Sequence, residues 1–236
     1  MSKNKIKCIH VGLGNFSIRR LEKNINGDLF DPIAFVDIDI QKGLEQLSKV
    51  RGIHKDYKNR VFKTITEANN HFKSEACFIF VSSEIHSELI IESLENNLHT
   101  YCVKSIACNS NEFKKILETK KNKELILIQG LNNKYSKASS EMKKILNDKS
   151  KFGEFIMGNC ITWGRQNLKS DKPLVDSTHD GIFFHSMGCH QLGQLVEWIG
   201  MPEAVYCKAP NEKDLSIGVI GVERTSSGIA ILEFQN

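Results

Sequence analysis

The stretch Ile6-Lys7-Cys8-Ile9-His10-Val11-Gly12-Leu13-Gly14-Asn15-Phe16-Ser17 decides the fold. Its largely apolar first half, Ile6 to Val11, reads as a strand that ends in a glycine pair, and a helical pattern follows. A turn of this kind lets a diphosphate sit against bare backbone N–H groups at a helix N-terminus. Gly12, Gly14, Asn15 and Phe16 are the residues in place to form it. A glycine pair alone is an ordinary tight turn. Here, however, the apolar run Ile33-Ala34-Phe35-Val36 delivers Asp37, 23 positions after Gly14. A carboxylate at that distance accepts hydrogen bonds from an adenosine ribose. Ser17 stands where the fingerprint carries its third glycine, and it is still small enough for a helix to pack closely on a strand. Strand, turn, helix and spaced acid together point to a dinucleotide site.

Outward from that stretch, strand and helix patterns alternate. Residues 6–11, 33–36, 77–81, 99–103 and 125–129 are short, near-continuous apolar runs, the pattern of parallel strands covered on both faces. Helical segments lie between them, around residues 18–24, 41–48, 65–71, 88–96 and 111–121. Gly130 to Asn133 reads as an exit from that sheet into a helix over residues 136–146, where Met142, Ile145 and Leu146 face one way. The second half changes character. Residues 155–163 alternate as a strand with one solvent face, a polar loop follows over 166–180, and a helix runs from about Phe183 to Ile199. Gly200 and Pro202 end it. Residues 204–208, 217–223 and 228–234 read as three further strands, the last two joined by a hairpin-like connection. The expected architecture is a doubly wound α/β domain over residues 1–131, then a smaller α+β domain over 132–236 with a mainly antiparallel open sheet.

Composition narrows the function classes. The chain has 236 residues, 40% of them hydrophobic and 25% charged, with 32 basic and 28 acidic side chains and a net charge of +4. Charges so balanced do not describe a nucleic-acid-binding surface. The apolar stretches are far shorter than a membrane span, and Met1 to Lys5 does not resemble a signal peptide, so a cytoplasmic protein is expected. The seven cysteines contain no C-x-x-C pair and sit mostly in apolar segments. That usage fits reduced thiols rather than disulfides or a zinc site. His179, Asp180 and His185 are close in sequence, but their spacing matches no strong ligand signature, and no metal is expected.

Three segments together resemble the Gfo/Idh/MocA family of oxidoreductases, over essentially the whole length. The first is Gly12 to Asp37. The second runs from Val81-Ser82-Ser83-Glu84-Ile85-His86 to His99-Thr100-Tyr101-Cys102-Val103-Lys104-Ser105, similar to the family's strand, Thr-Pro turn and His, helix, and strand ending in Glu-Lys-Pro. The third is Gly181 to Gly200, similar to the glycine-rich lead into Asp-x-Gly-x-His-x-x-Asp on a helix, with Gly188 and His190 matching. The resemblance implies a Rossmann domain followed by an open-sheet domain, and hydride transfer between a nicotinamide cofactor and a sugar, cyclitol or related polyol. It assigns proton transfer to His190 and substrate orientation to Lys104. The family's acids are replaced: Val103 stands for the glutamate, and Ser186 and Gly193 stand for the two helix aspartates. Family chains also continue through further strands beyond a point corresponding to Asn236.

The residues themselves support these assignments to different degrees. On the last long helix Phe184, Leu192, Leu195, Val196 and Ile199 form an apolar stripe. Ser186, His190, Gly193 and Glu197 lie nearly opposite, with small neighbours that leave room for a ligand beside His190. Lys104 ends a strand at the sheet edge where open α/β sheets bind ligands, so it is in place to touch both cofactor and substrate. Ser82 and Ser83 either contact the cofactor or only form the turn. His86 precedes a helix, in place either to cap it or to line the cofactor groove. Trp163 and Arg165 leave a strand as an aromatic wall with a cation, suited to a polyol or an anionic sugar. Lys134-Tyr135 resembles a basic–aromatic pair after the last strand of the first domain, its role open.

The chain thus reads as an NAD-linked dehydrogenase or reductase of CH-OH groups. Asp37 followed by Ile38, with no Ser-Arg pair, favours NAD over NADP. The rival is a non-catalytic relative that binds dinucleotide or sugar as a sensor or assembly partner, a reading favoured by the lost acids and early end. A third possibility is a truncated gene product. In the resembled family the face of the C-terminal sheet is commonly an oligomer interface. That implies a homodimer or higher homo-oligomer covering Val219, Val222, Ile229 and Ile231 in some combination.

Overall fold

The computed structural model describes residues 4–160, 188–208 and 229–234. The chain divides into two compact units, Met1–Gly130 and Leu131–Asn236. The first unit contains six strands: β1 (Ile6–Val11), β2 (Phe30–Val36), β3 (Val61–Phe62), β4 (Ala76–Ile79), β5 (His99–Val103) and β6 (Leu127–Gly130). They form one sheet in the order β3-β2-β1-β4-β5-β6, and every neighbouring pair is parallel. Five helices connect them: α1 (Asn15–Ile25), α2 (Ile40–Leu47), α3 (Ile65–Phe72), α4 (His86–Glu95) and α5 (Ser110–Lys120). This is the doubly wound arrangement, with its reversal of strand order between β1 and β4.

Two apolar layers hold the sheet. On one side Ile9, Val11, Ala34, Val36, Cys77, Ile79 and Cys102 meet Ile65 and Ala68 of α3, Ile90 and Leu94 of α4 and Ile116 of α5. On the other side Leu13 and Phe35 pack with Leu21 of α1, Leu47 of α2 and Val50. Leu21, Phe35 and Leu47 expose nothing, and each such side chain contributes about 1.5–3 kcal/mol of burial free energy.

β2 starts three residues earlier than the apolar run alone indicates. Pro32 sits where the β1–β2 register shifts, between Cys8 and Ile9. A proline lacks the N–H that a regular ladder needs, and a bulge absorbs that loss. The two-residue β3 is too short to carry any periodicity.

In the second unit the described elements are α6 (Lys137–Asn147), α7 (Lys149–Phe152), α8 (Cys189–Ile199), β7 (Ala204–Lys208) and β8 (Ile229–Glu233). β7 and β8 pair antiparallel, with Tyr206 opposite Ile231. α8 packs on α6, where the Trp198 indole N–H lies 2.9 Å from Ser139 Oγ and 3.1 Å from its carbonyl oxygen. Gly200 closes α8 at φ 92°, its N–H donating to the Val196 carbonyl as expected from the Gly-x-Pro ending.

One expectation is corrected. Residues 155–160, read as the start of a strand, pair with no strand among the described residues. Their side chains are exposed, Ile156 by 92% and Met157 by 81%. Alternation of apolar residues makes a strand only where a second strand supplies the ladder. The rest of that segment, the helical start at 183–187 and the strand at 217–223 lie outside the described residues. Among the described residues no helix is long and apolar enough to cross a membrane.

Candidate functional site

β1 delivers the chain into the turn at Gly12, whose φ is +86°. A Cβ at this position would collide with the Phe80 carbonyl oxygen and Val81, because β4 leaves the sheet directly alongside. Glycine is required here by both conformation and space. Gly14 differs: nothing lies within 4 Å of where its Cβ would be. That open side is the approach a diphosphate needs.

The helix behind the turn starts without a side-chain cap. α2 is capped by Asp39, α3 by Thr64, α5 by Asn109 and α6 by Ser136, each accepting from a first-turn N–H. α1 begins at Gly14 with no side-chain cap and no acid in its first turn. Its own ladder starts with Ile18 N–H on the Gly14 carbonyl, 3.0 Å. The N–H groups of Asn15, Phe16 and Ser17 therefore precede it, with the positive end of the helix dipole behind them. Asn15 and Phe16 are exposed. The Arg20 guanidinium lies over the Phe16 ring, 4.8 Å from its centroid.

Asp37 leaves β2 beside this turn and is held rigidly. Its Oδ2 accepts Leu13 N–H at 2.7 Å and its Oδ1 accepts Asp39 N–H at 3.0 Å. Each oxygen keeps a lone pair for a further donor, which is what a ribose diol supplies. Ile38, next along, is 90% exposed and offers an apolar surface.

Across the switch point the turn after β4 brings exposed Ser82 and half-buried Ser83 to the same end of the sheet. His86 does not line a groove. It is 1% exposed, with Nδ1 2.6 Å from the Ser105 carbonyl oxygen and Nε2 3.0 Å from that of Val81. It ties the exit of β4 to the exit of β5, a role invisible in sequence because both partners are backbone atoms. Lys104 lies half-buried at the β5 exit, one residue before that anchored carbonyl.

His190 is on α8, in the second unit, and is half-buried. Two of the positions on its stripe, Gly193 and Glu197, have close neighbours. A Cβ on Gly193 would sit 2.7 Å from Leu131 Cδ1. Glu197 pairs with Lys143 and lies 4.0 Å from Lys134 Nζ, and the Lys143 contact holds its carboxyl below the usual range. Lys134 also lies 5.0 Å from the Tyr135 ring centroid. Trp163, Arg165, Ser186, His179, Asp180 and His185 lie outside the described residues. Among the described residues no cluster of three or more metal-ligating side chains occurs.

Residues 6–131 match the model of the Gfo/Idh/MocA group, described as an oxidoreductase family with an NAD-binding Rossmann fold. The chain belongs to this family. It is 24% identical over 115 residues to myo-inositol 2-dehydrogenase of Thermotoga maritima, a match spanning 48% of this chain and 33% of that enzyme. Among solved structures it resembles an oxidoreductase of Thermotoga maritima, with TM-score 0.73 and 18% identity over 98% of this chain and 69% of that one. It also resembles the WlbA dehydrogenase of Bordetella pertussis in complex with NADH and UDP-GlcNAcA, with TM-score 0.71 and 18% identity over 100% of this chain and 65% of that one. At these identities the structural likenesses establish the fold.

Proposed function

We propose that this chain is an NAD-dependent dehydrogenase or reductase acting on a secondary alcohol of a sugar, cyclitol or related polyol. The observation that carries the reading is the uncapped start of α1 at Gly14 beside the doubly anchored Asp37 carboxylate. This pair fits a diphosphate at one end and a ribose diol at the other. Gly12, Gly14, Asn15, Phe16 and Asp37 would hold the dinucleotide, with Ser82, Ser83 and Lys104 along its path. Asp37 would repel a 2′-phosphate, which favours NAD over NADP. The polyol class is supported by the relatives' names, an inositol dehydrogenase and a dehydrogenase bound to a nucleotide sugar acid.

NAD, when bound, supplies the hydride acceptor. The alcohol then needs a base within hydrogen-bond reach of its hydroxyl and a cation that stabilises developing alkoxide. In this reading an imidazole nitrogen of His190 takes the hydroxyl proton, and the Lys104 ammonium orients the hydroxyl. Residues 1–131 form the dinucleotide domain, and 132–236 supply substrate contacts and, through β7 and β8, a homo-oligomer interface. Turnover over a polyol and sugar panel tests the assignment. His190→Ala is expected to lower kcat by roughly 10²–10⁴-fold with NAD affinity intact, and Lys104→Ala to lower both kcat and substrate affinity. Full activity in either variant contradicts it.

A second reading is a non-catalytic dinucleotide- or sugar-binding relative. It is favoured by the packing of Leu131 against Gly193, where the resembled family carries an aspartate. NAD binding without turnover on any polyol would select it.

A further inference from the structure

Three polar groups beneath the glycine turn form a continuous chain. His10 lies in the middle of β1, fully buried and stacked on Phe80 with ring centroids 4.8 Å apart. Its Nε2 is 2.6 Å from Ser17 Oγ, and the Ser17 hydroxyl donates to the Gly12 carbonyl. A hydroxyl has one proton to give. Since Ser17 spends it on Gly12, the imidazole must be the donor toward Ser17, which places the proton on Nε2. His10 Nδ1 then carries a lone pair, in keeping with its having no hydrogen-bond partner among the described residues. Burial drives the ring strongly toward its neutral form.

The Gly12 carbonyl and the Leu13 N–H are two ends of one peptide group. Ser17 grips the first, and the Asp37 carboxylate accepts from the second at 2.7 Å. The peptide plane that opens the turn is therefore fixed at both ends. One end leads back to a buried histidine and the other forward to the ribose-binding acid.

We propose that His10 and Ser17 are positioning residues, a hydrogen-bond relay that takes over the work of the missing third glycine by locking the Gly12–Leu13 peptide and, through it, the orientation of Asp37. An ordinary fingerprint needs no such lock, because a glycine lets the helix close directly on the strand. Here the serine supplies the constraint through its hydroxyl. The relay is a property of the folded turn, and its effect on affinity rests on the dinucleotide reading above.

The test compares the wild-type chain with Ser17→Ala, His10→Leu and the double variant His10→Leu/Ser17→Gly, which recreates a plain fingerprint. Amide hydrogen exchange across residues 12–16, without cofactor, is expected to quicken about 3- to 10-fold in each single variant, the scale of one buried hydrogen bond. It is expected to return to within about twofold of wild type in the double variant. Nitrogen-15 NMR of the wild-type imidazole should show the neutral Nε2–H tautomer, a signature that needs no variant to fold. Wild-type exchange rates in both single variants, no recovery in the double variant, or an Nδ1–H tautomer would overturn the relay. NAD titration of the same set should show weaker binding and a narrower NAD-over-NADP preference in Ser17→Ala. A wild-type chain that binds neither dinucleotide would refute the functional reading, while the exchange and tautomer data would still decide the relay.

Discussion

Asp37 and His10 flank the same turn in space and answer opposite physical demands. Asp37 accepts from two backbone N–H groups while it stays half-open to a ligand. His10 gives up its charge because burial removes it from water, lowering its pKa from 6.5 to about 3. The unfolded chain therefore binds a proton between those values that the folded chain does not, so stability rises with pH across this window and falls as the solution is acidified. The slope from this one group is at most about 1.4 kcal/mol per pH unit. Denaturant unfolding at pH 7, 6, 5 and 4 is expected to show acid destabilisation that His10→Leu reduces, and an identical pH dependence in that variant would contradict it. Asp37 was legible in sequence because its role depends on spacing from Gly14. His10 and His86 were not, because their partners are a hydroxyl and backbone carbonyls brought close only by folding.

The turn between β1 and α1 concentrates the constraints of the fold. Gly12 combines a left-handed φ with direct contact between its backbone and the exit of β4. Gly12→Ala is therefore expected to cost about 2 kcal/mol or more in stability, read as a lowered urea midpoint. Gly14→Ala, with open space around its Cβ, should change stability far less while still obstructing a diphosphate. Equal, small effects at the two positions would contradict this division of roles. Most strands and helices of the first unit could be read from periodicity because each is apolar on the face or faces it buries. The failures share one cause. β3 is two residues long, the start of β2 carries Asp31 and Pro32, and residues 155–160 alternate without a partner strand among the described residues. In each, the outcome depends on a neighbouring strand rather than on the segment itself. Leu131 was likewise missed as the neighbour of Gly193, since a helical wheel shows which residues share a face but not what fills it.

At the scale of the whole molecule, the six-stranded parallel sheet sets the glycine turn, Asp37 and Lys104 at the carboxyl ends of its strands, and α8 carries His190 in the second unit. The β7–β8 ribbon leaves the cross-strand pair Tyr206 and Ile231 exposed by 59% each on one face. Covering such a face by two-fold self-association is the expected outcome in solution. Light scattering at micromolar concentration should report a dimer or higher oligomer, and a stable monomer would contradict that. The ligand of the first unit is decided by a calorimetric titration of the wild-type chain with NAD and with NADP. Saturable NAD binding, at least about tenfold tighter than NADP, is the predicted result, since Asp37 hydrogen-bonds a 2′-hydroxyl and repels a 2′-phosphate. Binding of neither dinucleotide, or equal affinity for both, would contradict the account.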